Sequence, residues 1–198
     1  ALVERTKKLT VGDGMKAGID IGPCVDQGQL NTVLKYIAIG TEESGAPLCG
    51  GNRLTGGDYD KGYFVEPTIF GDVKPHHRIA QEEIFGPVLC VVRVPTLESA
   101  IDLINRHEYG NGTAIFTQDG DSARHFVNRI KVGMTGVNVA IPVPMAFFSF
   151  GGWKRSLFGD HNVHGMDGVR FYTRVKTVTA RWPDGRRINA EFTMPTMR

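Results

Sequence analysis

The sequence predicts an α/β fold: a three-layer αβα domain around a mainly parallel sheet, followed by a C-terminal strand. Three observations carry that expectation. Short β-branched runs alternate with amphipathic helical segments, which favours parallel pairing through right-handed crossovers. Glycine supplies 25 of 198 residues, well above a usual share of about 7%, and with no collagen period it marks turns and close backbone approaches. Finally, Lys176 to Trp182 alternates like a strand but stands outside the αβ alternation. The expected units are a domain over 1–174 and a pairing strand with its tail over 175–198.

Element by element, the opening Ala1-Leu2-Val3-Glu4-Arg5-Thr6 reads as the last turns of a helix. With no initiator methionine, the chain is expected to be a piece of something longer. A turn-rich break over 10–14 is closed by Ile21-Gly22-Pro23. A helix then starts at Asp26, whose carboxylate can accept from the first-turn amides, with Gln29 as its capping-box partner. Leu30, Val33, Leu34, Ile37 and Ala38 share one helical face. Gly40 weakens the run and Ser44-Gly45 ends it. The glycines between 50 and 62 predict a surface loop. Residues 64–70 read as a strand interrupted by Pro67, hence an edge or the start of a turn.

Residues 88–94 form a buried strand, rich in valine. Thr96 caps the next helix, which turns Leu97, Ala100, Ile101 and Ile104 inward. A strand over 113–117, a helix over about 121–130 burying Ala123, Phe126, Val127 and Ile130, and a strand over 132–139 complete the alternation. Beyond it, Ile141-Pro142-Val143-Pro144 suits neither helix nor central strand. Residues 147–160 read as an aromatic-rich loop. The strand from Lys176 to Trp182, stopped by a turn at Pro183-Asp184-Gly185, leaves an edge that a second subunit could cover.

Composition excludes several functions. Lys and Arg number 23 against 21 Asp and Glu, too even a balance for a dedicated nucleic-acid or anionic-membrane binder. The longest clean apolar run, 88–92, falls far short of the roughly 20 residues of a membrane span. The start has no apolar signal core. Cys24, Cys49 and Cys90 cannot form a closed disulfide set and have no CxxC spacing, so a soluble protein of a reducing compartment is expected. The paired histidines His76-His77 and His161/His164 lack a recognisable ligand spacing, so no metal is expected. Cys90 reads as core. Cys24, close to a helix start, could have a slightly lowered pKa, but no histidine flanks it, and no convincing nucleophile emerges. The aromatic and basic residues around Phe147 to Arg155 read as a pocket wall or core rather than a base-stacking surface.

The most informative stretch is Gln81-Glu82-Glu83-Ile84-Phe85-Gly86-Pro87-Val88. In extended chain Glu83 and Phe85 point one way and Glu82 the other. A carboxylate can accept both hydroxyl hydrogens of a ribose, and a neighbouring ring can pack on a flat heterocycle. The pattern alone also describes an exposed glutamate pair with a core phenylalanine, and it leans to that description.

These residues belong to a series that resembles the aldehyde dehydrogenase superfamily. The series comprises Asp20-Ile21-Gly22-Pro23, Gly62-Tyr63-Phe64-Val65-Glu66-Pro67-Thr68, Glu82-Glu83-Ile84-Phe85-Gly86-Pro87-Val88, Phe150-Gly151-Gly152-Trp153-Lys154 and Lys176-Thr177-Val178-Thr179. The segments recur in the family's order over nearly the whole chain. Asn111 within Tyr109-Gly110-Asn111-Gly112, the run Ile141 to Phe150, Ser156-Leu157-Phe158-Gly159-Asp160 and the terminal Ala190-Glu191-Phe192-Thr193-Met194-Pro195-Thr196 resemble the coenzyme A-acylating methylmalonate- or malonate-semialdehyde dehydrogenases.

The resemblance implies an NAD-dependent oxidoreductase working through a cysteine thioester that coenzyme A captures, with a small-molecule aldehyde as substrate. It implies Glu83 at the nicotinamide ribose, Phe85 beside the nicotinamide, Phe150 lining the aldehyde tunnel, and a homo-oligomer formed through Lys176 to Trp182. It also implies that the nucleophilic cysteine and the coenzyme fold lie upstream of Ala1, so this portion alone is expected to be inactive. Bacterial cytoplasm is favoured over the mitochondrial matrix. Two alternatives stay open: a non-acylating NAD(P)-dependent aldehyde dehydrogenase, and a noncatalytic assembly module built on the same fold.

Overall fold

The computed structural model describes residues 1–180 and Trp182. Helix α1 (Leu2–Thr6) leads into a loop whose ends meet at a Val11–Ile21 bridge. Helix α2 (Gln27–Ser44) begins where predicted, with the Asp26 side chain accepting from the Gln29 amide at 2.7 Å. It stops at Gly45, whose φ of +82° suits glycine. Leu30, Val33, Ile37 and Gly40 form its buried stripe. Gly40 does more than weaken the helix. A Cβ there would stand 2.8 Å from the Phe70 ring, so its absence lets α2 settle onto the core.

Strand β1 (Thr68–Phe70) starts directly after Pro67, which has no N–H for a ladder. It pairs in parallel with β2 (Val88–Cys90), Thr68 opposite Val88, and the short helix α3 (Arg78–Gln81) lies on the crossover between them. The predicted strand 88–94 is thus shorter and less covered than expected: β2 is paired along one edge only, and Leu89 is half exposed because its face of the sheet is left open. Phe70, Leu30, Val33, Val65, Val73 and Ile84 are central to this first core.

A second parallel unit follows. Helix α4 (Leu97–Arg106) is capped by Thr96, whose hydroxyl accepts from the Ser99 amide at 3.1 Å. Strands β4 (Gly112–Ile115) and β5 (Met134–Val137) pair in parallel across helix α5 (Gly120–Arg129), which Asp119 caps. Ile101, Phe126, Ile130 and Val132 fill this second core. Val127, expected inside, is 43% exposed, since the buried face of α5 centres on Phe126.

Strand β3 (Tyr109–Gly110) pairs antiparallel with β6 (Trp153–Lys154), tying the 147–160 segment to the end of α4. Helix α6 (Gly165–Tyr172) was not foreseen; it is short, carries Gly165 and Gly168, and buries none of its residues, its apolar side chains Met166, Val169 and Tyr172 being exposed. The fold is α/β, built of parallel sheet pieces and helices as predicted. Among the described residues Lys176–Ala180 makes no ladder, and a strand needs a paired neighbour to form one. Arg181, the turn at Pro183-Asp184-Gly185 and the terminal Ala190 to Thr196 motif lie outside the described residues. No described helix is long and apolar enough to cross a membrane.

Candidate active site

One face of α2 builds a ledge from residues 82–86. Ile84 is buried beside Leu30 and Val33 in the first core, while its neighbours Glu83 and Phe85 are exposed. Phe85 is 82% exposed, which overturns the reading of a core phenylalanine. The extended alternation holds through Ile84 and then breaks: Phe85 has φ +53°, a left-handed conformation that is uncommon for a bulky residue and needs support from its surroundings.

That support comes from Gln29, Val33 and Tyr36, spaced i, i+4, i+7 along α2 and so aligned on one side. Gln29 Nε2 donates to the carbonyl oxygens of Ile84 at 3.0 Å and Phe85 at 2.8 Å. Val33 packs under Gly86, where any Cβ would overlap its methyl group. Tyr36 Oη donates to Glu82 Oε2 at 2.5 Å. The capping box expected at Gln29 is therefore only half made. Its amide N–H meets Asp26, but its side chain serves the ledge. Gln29 and Tyr36 were missed as site residues. The available signal was two polar side chains flanking an apolar helical stripe.

The two glutamates have separate duties. Glu82 accepts from Arg78 through both oxygens, at 3.0 and 2.9 Å, and from Tyr36. Arg78 first and Tyr36 second hold its carboxyl down at about 2. The same contact pushes the Tyr36 phenol up. Both glutamates line a cleft of about 690 Å³ with His107, Glu108, Tyr109, Asn111 and Ser156, but only Glu82 has its oxygens taken up by Arg78 and Tyr36. Across that cleft Arg155 pairs with Glu108, and its guanidinium stands 5.6 Å from the centre of the Tyr109 ring.

Phe150 belongs to a second structure. It is half-buried and stacked on His164, ring centres 4.3 Å apart and planes 5° from parallel. Ser149 Oγ donates to the His164 carbonyl at 2.9 Å. Behind the loop, Lys154 Nζ donates to the carbonyls of Ile104, Asn105 and His107 at 3.0–3.1 Å, capping the C-terminus of α4. Burial, aided by Lys131, pushes the Lys154 ammonium below the usual lysine range. His164, to which the sequence assigned no role, is thus stacked against Phe150.

All three cysteines are free thiols. Burial pushes Cys24 up rather than down, reversing the small depression expected at a helix start. Burial also raises Cys90, whose Sγ lies 3.3 Å from the Ile79 carbonyl. Cys49 Sγ faces the Pro67 carbonyl at 4.0 Å. The settings of Cys24 and Cys90 favour the thiol over the thiolate that attacks carbonyls. Among the described residues, no three His, Cys, Asp or Glu side chains gather as a metal site. What the ledge offers chemically is an anionic acceptor beside an exposed flat ring, on a backbone held from behind.

A family model described as "Aldehyde dehydrogenase family" matches residues 1–178. The malonate-semialdehyde dehydrogenase of Pseudomonas aeruginosa is 49% identical over 197 residues, covering 99% of this chain and 40% of the relative. A mitochondrial protein of Drosophila melanogaster, provisionally named an acylating methylmalonate-semialdehyde/malonate-semialdehyde dehydrogenase, is 45% identical over 199 residues, with 100% and 38% covered. Among solved structures, a Sinorhizobium meliloti 1021 protein in complex with NAD, provisionally named methylmalonate-semialdehyde dehydrogenase, superposes with TM-score 0.89 at 46% identity. That match covers 93% of this chain and 38% of the other. The methylmalonate-semialdehyde dehydrogenase of Oceanimonas doudoroffii gives TM-score 0.88 at 47% identity, over 93% and 38%. The chain spans about two fifths of the length of the curated relatives it matches.

Proposed function

The chain belongs to the aldehyde dehydrogenase family, and from that premise we propose that it is catalytic-domain sequence of an NAD-dependent, coenzyme A-acylating oxidoreductase. The substrate is malonate or methylmalonate semialdehyde, and the products are acetyl-CoA or propionyl-CoA, carbon dioxide and NADH. The names of the relatives above support the substrate, and the acylating name of the Drosophila relative supports the role of coenzyme A. The observation that carries the reading is the ledge: Glu83 and Phe85 outward, Ile84 inward, Gln29 and Val33 behind.

The ledge fits NAD on chemical grounds. A carboxylate facing a cleft can accept two ribose hydroxyls, and an exposed ring can pack on a flat base. When bound, NAD supplies the hydride acceptor. In this chain Glu83 fixes the ribose, Phe85 limits the tilt of the nicotinamide, and the Phe150–His164 stack forms one wall of the aldehyde approach. Orientation of this kind lowers the barrier by holding reacting groups at near-attack distance. The attacking thiolate is assigned to sequence upstream of Ala1, consistent with the partial burial that pushes the Cys24 and Cys90 thiols up. The exposed side chains of Val178 and Trp182 support assembly of a homo-oligomer through Lys176 to Trp182, with residues 1–174 as the domain. Free thiols suit a reducing compartment, with cytoplasm favoured.

The test is NADH formation from malonate semialdehyde by the enzyme at its relatives' full length, with and without coenzyme A. Turnover that requires coenzyme A is expected, and turnover indifferent to it would favour the non-acylating alternative. Residues 1–198 alone are expected to give none; measurable turnover there would overturn the assignment of the nucleophile.

A further inference from the structure

Gln29 stands apart from the residues the sequence pointed to: it faces the back of the ledge. Its side-chain amide carries two N–H hydrogens, and two successive carbonyls, those of Ile84 and Phe85, converge on that one nitrogen. In extended chain, successive carbonyls point to opposite sides. They converge here because Phe85 has φ +53°. The left-handed turn and the glutamine clamp are therefore one arrangement. The turn aims both carbonyls at α2, and the amide repays part of the strain a bulky residue carries there.

The opposite amide rotamer would set Oε1 against two carbonyl oxygens, so the bonding pattern fixes Gln29 in one orientation. Its own backbone is pinned too, since the Gln29 amide donates to the N-cap Asp26 at 2.7 Å. The clamp thus hangs from a capped first turn of an 18-residue helix. A carboxylate at the same position would face the carbonyls with no hydrogen to offer, and an aliphatic side chain would leave the carbonyls to water.

We propose that Gln29 is a positioning residue for cofactor binding: by clamping the Ile84 and Phe85 carbonyls it holds Phe85 in its left-handed turn and so sets the outward aim of Phe85 and Glu83. This rests on the reading of the ledge as the NAD site. Gln29 touches no reacting atom; it acts through the backbone it holds.

The test uses the full-length enzyme with Gln29→Leu and Gln29→Glu, and with Phe85→Ala as the control for the ledge itself. Two readouts are taken: backbone hydrogen exchange over residues 82–88, and steady-state constants for NAD and for the aldehyde. For both Gln29 variants, exchange over 82–88 should quicken and KM for NAD should rise roughly tenfold, the scale of one to two lost hydrogen bonds. KM for the aldehyde should be unchanged. Phe85→Ala should raise KM for NAD without quickening exchange over α2. If Phe85→Ala leaves KM for NAD unaltered, the cofactor reading of the ledge falls. If Phe85→Ala raises it and the Gln29 variants do not, the positioning role falls and the ledge reading stands. Raised KM with wild-type exchange would also overturn the proposal, since Gln29 would then be acting on the cofactor directly.

Discussion

Gly133 lies directly beneath Gly151: a Cβ on Gly133 would overlap the Gly151 carbonyl oxygen. Two backbones meet there with no side chain between them, one entering β5 and the other leading from Phe150 into β6. Gly133→Ala cannot be relieved by a rotamer change, because the obstacle is main chain. The variant should lose about 1–3 kcal/mol of stability by overpacking. In the full-length enzyme it should also raise KM for the aldehyde more than KM for NAD. Chemical denaturation and steady-state kinetics check both halves.

Lys154→Met tests the other support of the same loop. The ammonium serves the Ile104, Asn105 and His107 carbonyls, and methionine keeps the packing stem while removing every donor. A loss of about 1–3 kcal/mol is expected in urea denaturation. Proteolysis around 147–164 should quicken as well.

Gly40→Ala sets two effects against each other. Alanine improves intrinsic helix propensity by about 1 kcal/mol. Its Cβ, however, would stand 2.8 Å from Cζ of Phe70 and 3.1 Å from Cδ1 of Ile79, and Phe70 is fully buried with nowhere to move. Overpacking typically costs about 1–3 kcal/mol, so the net change is expected to be destabilising. A midpoint equal to or above that of the parent would show that the core can yield.

Acid stability should carry the mark of Glu82. Its carboxyl lies at about 2 in the fold against 4.5 for an ordinary glutamate, with Arg78 the main cause and Tyr36 next. A carboxylate with a depressed folded pKa contributes stability that is complete above the unfolded value and fades as pH falls toward the folded one. The contribution should therefore be lost between about pH 4.5 and about pH 2. Glu82→Gln should flatten the stability profile in that window and leave NAD binding near the parent value, since Glu82 faces Tyr36 and Arg78.

Much of this was legible in the sequence, and particular residues show why. The caps at Asp26 and Thr96 announced their helices because a short oxygen-bearing side chain before an apolar stripe has one economical use. The outward aim of Glu83 followed from alternation around an apolar Ile84, but that of Phe85 did not: its left-handed turn breaks the alternation, and the pattern alone leaned to a core ring. Gln29 and His164 were misjudged because their partners lie 55 and 14 residues away in the chain, at Ile84 and Phe150, and no local pattern reports such encounters. Helix α6 hid for a different reason: it is only eight residues long and holds two glycines, so its apolar spacing at Met166, Val169 and Tyr172 is too brief to stand out. Lys176 to Ala180 has the composition of a strand, but pairing is a property of two segments and the sequence displays one.

The two walls of the site rest on foundations of unequal depth. The ledge is anchored by Ile84 in the main core and by three side chains of the longest helix. The loop proposed to face the aldehyde is held by lighter ties, namely the Lys154 clamp, the Ser149–His164 bond, the Phe150–His164 stack, the two-residue β3–β6 ladder and the Gly133–Gly151 crossing, and places no residue in either core. Segments with few buried contacts open locally well before a domain melts as a whole. Gentle heating should therefore blind the enzyme to its aldehyde while its grip on the dinucleotide is still intact.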